Sequence, residues 1–359
     1  MFLNILLSGS FSRDPRTVFI DPRVEGDCFS SPCSISNAAR VIRTADTVHF
    51  PENYKISLTS YPSEFSDLIV QLSLHNTTVH SHGTIVDGSN LAGSIGVELV
   101  SHPHYTWSVL IGWTFRNFSK PIFLRDQLWS YAPYMVFRDC TFEYCDDSIF
   151  KLAGGMFIFE NCVFNHISEY PVRCEYQVHL EFVDCKFTNC KSLFIRKSDA
   201  IFTNCVFKDT FGDRGGAIYA EKSTLYVNHC FFIHTNASSN GGAIYIRDSI
   251  PKYESEITNS SFIETNAQGN GSAIFIYKSS VNLTNNCLPS KDSIHYQDSQ
   301  DLSTNISYSN CEDWLNTDNI EVISDDFTPV DTFKLWKLDD LKDGTTISIE
   351  DEDELDIEL

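Results

Sequence analysis

Basic residues are scarce in this chain. Among 359 residues, Lys and Arg number 26 against 48 Asp and Glu, a formal charge of −22. A protein that holds nucleic acid or an anionic membrane carries a basic footprint. None is present, so neither partner is expected. Long apolar runs are missing as well. No stretch reaches the roughly 18 consecutive apolar residues of a membrane-spanning helix, so no transmembrane segment is expected. The twelve cysteines show neither Cys-x-x-Cys nor zinc-ribbon spacing. No metal centre and no cofactor is therefore expected.

What is present is globular. Hydrophobic residues make up 42% and charged residues 21%, which argues against wholesale disorder. The length suits one elongated domain with short appendages. Residues 1–12 begin with a short apolar stretch, Met1 to Leu7, that ends in small residues and lacks a basic start. It reads either as a short secretory leader or as a first strand. Seven Asn-x-Ser/Thr sequons (Asn76, Asn117, Asn236, Asn259, Asn270, Asn282 and Asn305) lean with the cysteines toward secretion or the cell surface. Without a leader the chain stays in the cytoplasm.

Internal repetition is the strongest signal. Cys-x-Phe recurs as Cys140-Thr-Phe142, Cys162-Val-Phe164, Cys185-Lys-Phe187, Cys205-Val-Phe207 and Cys230-Phe-Phe232. It continues as Ser260-Ser-Phe262 and fades at Asn286-Cys287. The steps are 22, 23, 20, 25, 30 and 27 residues. Between these columns lie Ile122-Phe-Leu124, Ile149-Phe-Lys151, Leu193-Phe-Ile195, Ile218-Tyr-Ala220, Ile244-Tyr-Ile246 and Ile274-Phe-Ile276. A third apolar patch precedes each Cys, as in Phe157-Ile-Phe159. Three short β-type runs per period, too short for helices, predict a parallel β-helix. Successive coils then stack at about 4.8 Å, each burying its apolar face against its neighbours.

The residue before each Cys column is Asp139, Asn161, Asp184, Asn204, His229, Asn259 and Asn286. Asn and Asp tolerate the left-handed backbone of a sharp corner, and a stacked amide ladder would suit them. Ser34 to Arg43 carries Ile35, Ala38, Ala39 and Ile42 at helical spacing. It predicts a helix, capped by Ser34, that plugs the end of the solenoid. Residues 339–359 hold ten acidic residues and one Lys, which reads as a solvated tail. The expected order is therefore an N-terminal cap over 13–64, a solenoid over 65–311 and an acidic tail over 312–359. The fold class is all-β, a single-stranded right-handed parallel β-helix, the hand following from the preference of parallel crossovers.

Gly215-Gly-Ala-Ile218, Gly241-Gly-Ala-Ile244 and Gly271-Ser-Ala-Ile274 resemble the repeats of polymorphic outer membrane proteins. Similar repeats occur in surface proteins of parasitic protozoa. That family's companion Phe-x-x-Asn is one residue longer here, as Phe232-Ile-His-Thr-Asn236 and Phe262-Ile-Glu-Thr-Asn266. The close match covers 211–276, and the looser coils extend it to about 115–290. The resemblance implies a pectin-lyase-like solenoid, a surface or secreted adhesive role, partners that are proteins or glycans of another cell, and no catalytic residues. The family's C-terminal membrane barrel has no counterpart in this sequence.

Strand alternation sets Phe123, Phe150, Phe194, Tyr219, Tyr245 and Phe275 on the face opposite the Ile column, with Arg173 filling the stripe in an irregular coil. Arg125, Arg196, Glu221 and Arg247 follow two residues on. Charges in register with the rings point this face outward, although Lys151 falls on the Ile face. An exposed aromatic stripe with Arg beside it suits a protein or a sugar chain; otherwise the stripe is core or is covered by loops. The turns before the Ile strand lengthen from 7 residues after Phe142 to 12 after Phe232 and Phe262. The resulting loops, 211–216, 236–242 and 266–272, stack on one side, as binding loops of solenoids do.

Cys140, Cys162, Cys185, Cys205 and Cys230 form one buried column, expected to be reduced. Cys145 and Cys190 lie two coils apart, and Cys28–Cys33 is the expected disulfide. Five histidines crowd one window (His75, His80, His82, His102 and His104), which would suit zinc or reads as scattered surface His. The alternative function is a polysaccharide hydrolase or lyase, since β-helices host both. Asp146-Asp147 faintly resembles the Asp-Asp segment of polygalacturonases, with Arg196 as a basic partner. No Asn-Thr-Asp precedes it, and His82-Gly83 lies before it instead of after.

Overall fold

The computed structural model describes residues 16–21, 23–42, 46–58, 77–89, 97–98, 107–125, 134–249, 254–299 and 311. Every named strand pairing is parallel, and each coil contributes one strand to each of three sheets. One coil runs Thr224–Asn228, Phe231–Ile233, then Ile244–Arg247. Among the described residues the first sheet has eleven strands and the second and third nine each. The rungs start well before residue 65. Thr17–Phe19 and Thr47–His49 already pair in the first sheet. The possible leader, the acidic tail, Asn76, Asn305, His75, His102 and His104 lie outside the described residues.

The capping helix forms over Ile35–Val41, with the Ser34 hydroxyl accepting from the Asn37 amide. Ile35 and Ala38 are buried in the core cluster. The expected Cys28–Cys33 disulfide is present beside it.

The core is a set of ring columns. Phe115, Phe142, Phe164, Phe187, Phe207, Phe232 and Phe262 stack face to face along the second sheet, centroids 4.7–5.5 Å apart. Phe137, Phe159, Phe182 and Phe202 do the same along the first. The two columns meet edge to face, as at Phe182–Phe187. Offset-stacked and T-shaped pairs add about 0.5–1.5 kcal/mol beyond their burial. The Cys column lies beside them, fully buried and free. Its thiols donate to carbonyls on the coil before, such as Cys185 Sγ to Phe159 O at 3.3 Å.

Corners are made by single residues with positive φ. Asp139, Asn161, Asp184, Asn204, His229, Asn259 and Asn285 form the first corner at φ 50–56°. The last rung is thus Asn285, not Asn286. Asn286 is fully buried instead. Its Nδ2 donates to Ile257 O, and its Oδ1 accepts from Ser260 N. It takes the inward place held by Cys in earlier coils. Cys287 is then turned outward beside Ser261, where it forms a second disulfide, to Cys311. This disulfide lies with Ile233 and Ile263 in a small apolar cluster outside the core. The amide ladder is partial: Asn161 Nδ2 donates to Asp139 Oδ1, and Asn285 Nδ2 to Asn259 Oδ1.

The Gly-Gly-Ala-Ile motif has a steric cause. Gly241 sits at φ +69°, a region that favours glycine. A Cβ on Gly242 would meet the backbone oxygen of Ser272, one coil on, at 1.9 Å. We expect Gly242→Ala to destabilise the chain by about 1–3 kcal/mol or more, as overpacking does. Phe187→Ala is expected to cost about 3–5 kcal/mol. Urea unfolding monitored by far-UV circular dichroism checks both, and unchanged midpoints would contradict the stacking described.

Candidate interaction surface

The third sheet's register differs by one residue from the sequence alignment in its early coils. Phe150 pairs with Phe123 and Val172, and Leu193 with Ile218. Phe123 and Phe150 therefore point inward and are fully buried. They belong to the core and not to an outer stripe. A one-residue slip reverses every side chain of a strand. It arises because Ile122 and Ile149, also buried, sit just before the strand, where later coils place Ala217, Ala243 and Ala273.

The outward column is Lys151, Arg173, Phe194, Tyr219, Tyr245, Phe275 and His295. Lys151 thus fits the outward face after all, and Arg173 fills the stripe as expected. Ring centroids from Phe194 to His295 are 5.0–5.4 Å apart. The Arg173 guanidinium covers the free face of Phe194 at 5.2 Å. The ring faces are therefore spent on one another. Tyr219, Tyr245 and Phe275 are only 8%, 6% and 2% exposed. The rings from Phe194 to Phe275 form a cluster separate from the core, but they offer no open ring face for stacking a sugar.

The next outward column carries Glu175, Arg196, Glu221, Arg247 and Tyr277, in register. Opposite charges alternate, with N···O separations of 3.9, 4.0 and 3.9 Å. These are ion pairs too long for hydrogen bonds, and Arg196 Nε has no hydrogen-bond partner. Tyr219 Oη donates to Glu221 at 2.9 Å. Burial, helped by Glu221, pushes the Tyr219 phenol up to about 12.

The lengthened loops form an ordered ledge. Phe211–Gly212, Asn236–Ala237 and Asn266–Ala267 pair as a fourth small sheet. Phe211 is 46% exposed. Ser238 Oγ donates to Asp213 Oδ1 on the preceding coil, and Asn270 N to Asn240 Oδ1. Of the sequons, Asn236 and Asn270 are exposed here. The Asn117 amide is instead bonded to Asp87, Asn259 to Asn228 and Asn285, and Asn282 accepts from Thr284.

The carboxylate pair does not meet its expected basic partner. Asp147 accepts from Ser148 N and pairs with Lys151 Nζ at 3.3 Å. Arg196 stands between Glu175 and Glu221. His80 and His82 come together with His49, which the sequence window missed. His49 Nδ1 and His82 Nε2 are 3.0 Å apart, so one ring donates to the other. Among the described residues no three metal-ligating groups converge. Burial and the neighbouring rings hold His49 and His80 below the usual imidazole range.

A second titratable group escaped the sequence reading. His179, Glu181 and Asp199 lie on the outer face of the first sheet, with His179 paired to Asp199. Burial drops His179 to about 4 and raises both carboxyls. Alternation places them outward, but nothing local signals that they are covered.

Burial pushes Cys145, Cys174 and Cys190 up to about 12, and the thiolate is the nucleophile. Iodoacetamide at pH 8 should therefore leave the buried thiols unmodified until urea is added, read by intact mass; rapid native labelling would contradict this. For His49 and His80, a folded-state pKa below 6.5 means that folding favours the neutral ring. Their contribution is full above the unfolded value and is lost as pH falls below it. The melting temperature should drop from pH 7 to pH 5, and by less in His49→Phe; an equal drop in both would contradict the assignment.

A family model for the right-handed β-helix region matches residues 122–312. No curated protein and no solved structure matches the chain. With more than half its length in that match and all three sheets parallel, the chain belongs to the right-handed β-helix family.

Proposed function

We propose that this β-helix is a non-enzymatic scaffold of the secreted or cell-surface kind, similar to the polymorphic membrane protein passengers, and that it binds a protein or glycan on another cell. The observation that carries this reading is the ledge. Loops of similar build on three successive coils present Phe211, Asn236 and Asn270 to solvent beside a paired backbone. Rigid display of exposed loop residues suits recognition. The two disulfides, Cys28–Cys33 and Cys287–Cys311, support an oxidising compartment.

The test uses the recombinant full chain, fluorescently labelled, on glycan arrays and cultured cells. Phe211→Ala combined with Asn236→Ala should weaken binding by about tenfold or more, as loss of an anchor does, with the melting temperature retained. Turnover of an acidic polysaccharide, abolished by Asp147→Asn, would overturn the reading in favour of a carbohydrate-active enzyme.

A further inference from the structure

The charged column of the third sheet is self-complementary. Read along the solenoid axis it runs Glu175, Arg196, Glu221, Arg247, one residue per coil. Turn a second copy about a two-fold axis that lies along the strand direction, midway between the coils of Arg196 and Glu221. The order reverses while each column stays opposite itself. Glu175 then faces Arg247 of the second copy, and Arg196 faces Glu221. Both contacts join opposite charges and each is made twice, four in all, as an isologous interface requires. Coil spacing is about 4.8 Å in both copies, so the rungs stay in step.

The neighbouring column obeys the same symmetry. It begins with two cations, Lys151 and Arg173, and continues as aromatic rings from Phe194 to Phe275. The reversal sets Lys151 opposite Phe275, Arg173 opposite Tyr245 and Phe194 opposite Tyr219. These pairs add no cation–π attraction, because the ring faces are already stacked on one another; the charged column carries the complementarity. Lys151 and Arg173 keep 40% and 47% of their side chains exposed. The deeper rings offer only their edges. The charged column is open enough for contact, its side chains 15–36% exposed. Its rung-to-rung ion pairs are long, at 3.9–4.0 Å, while Glu175, Glu221 and Arg247 also bond Arg173, Tyr219 and Asp248 within the chain.

From this pattern we infer that the outer face of the third sheet is a docking surface for a second copy of the chain, packed antiparallel. The inference is independent of the adhesive reading, because it needs neither the ledge nor any foreign ligand. The six rungs from Lys151 to Phe275 span about 24 Å, and four-residue strands about 13 Å. That patch is smaller than the ~800 Å² per partner of a standard interface, so association belongs in the micromolar range or weaker. One contact opposes it: Lys197 meets Lys222 of the second copy at the corner, where both adopt positive φ.

Sedimentation velocity on the full chain, at concentrations up to about 0.2 mM, tests the inference. A dimer is expected. Arg196→Glu should weaken it by about tenfold or more, as like charges across an interface do. Arg196→Glu with Glu221→Arg should restore it. That exchange leaves the chain's own ladder worse, with like charges adjacent, yet recreates both contacts across the two-fold axis. Restoration therefore separates the interface from internal stability, which thermal melting reads in parallel. Lys197→Glu should tighten the dimer several-fold by pairing with Lys222. A chain that stays monomeric, a dimer indifferent to Arg196→Glu, or an exchange that restores nothing would each overturn the proposal.

Discussion

Register between coils governs this molecule. Each coil contributes strands of two to six residues, and a strand pair that short has little stability alone. Backbone hydrogen bonds fix the coil spacing, and that spacing is close to the separation at which aromatic rings stack. Polar backbone and apolar side chain thus ask for the same distance. The Phe columns, the Cys column and the corner residues all follow from that coincidence. A sheet of many strands normally twists; side-chain ladders of this kind hold such stacks flat.

The fold was legible because the coincidence forces equivalent residues to recur. Phe164, Phe187 and Phe207 are stacked as the Cys-x-Phe spacing implied. So are the separation of Cys145 from Cys190, with Ile167 between them, and the cap helix. The third sheet was read less well. Ile-Phe-Leu and Ile-Tyr-Ala look alike as letters, yet the first begins one residue earlier. Only the hydrogen-bond partner of Phe123 decides which face it takes, and that partner lies 27 positions away. The other two corners were hidden for a different reason. Tyr144, His166, Lys197, Lys222 and Glu264 adopt positive φ, a conformation that costs roughly 1–2 kcal/mol for such residues. Stacking overrides that preference, so propensity alone could not mark them.

The candidate surface was half legible. Loop lengthening located the ledge, and Gly-Gly located its base. The burial of Tyr245 and Phe275 was one of two readings the sequence left open, because alternation tells outward from inward but not open from closed. The alternating ladder was visible as single residues, Arg196, Glu221 and Arg247. Its meaning needed Glu175, which joins it only once the irregular coil at Arg173 is placed in register. Likewise His49 joins His82 because coils 33 residues apart are neighbours in space.

The cysteines carry a consequence for biogenesis. Two disulfides and eight free thiols coexist in one chain. The protected thiols sit in the core of the middle coils, between Cys140 and Cys230, while the bonded pairs lie beside the cap helix and outside the second sheet. In an oxidising medium an extended chain would offer all twelve sulfurs to random pairing. Winding must therefore outrun oxidation: whichever thiols are swallowed by the growing stack escape, and those left at the periphery are the ones that crosslink.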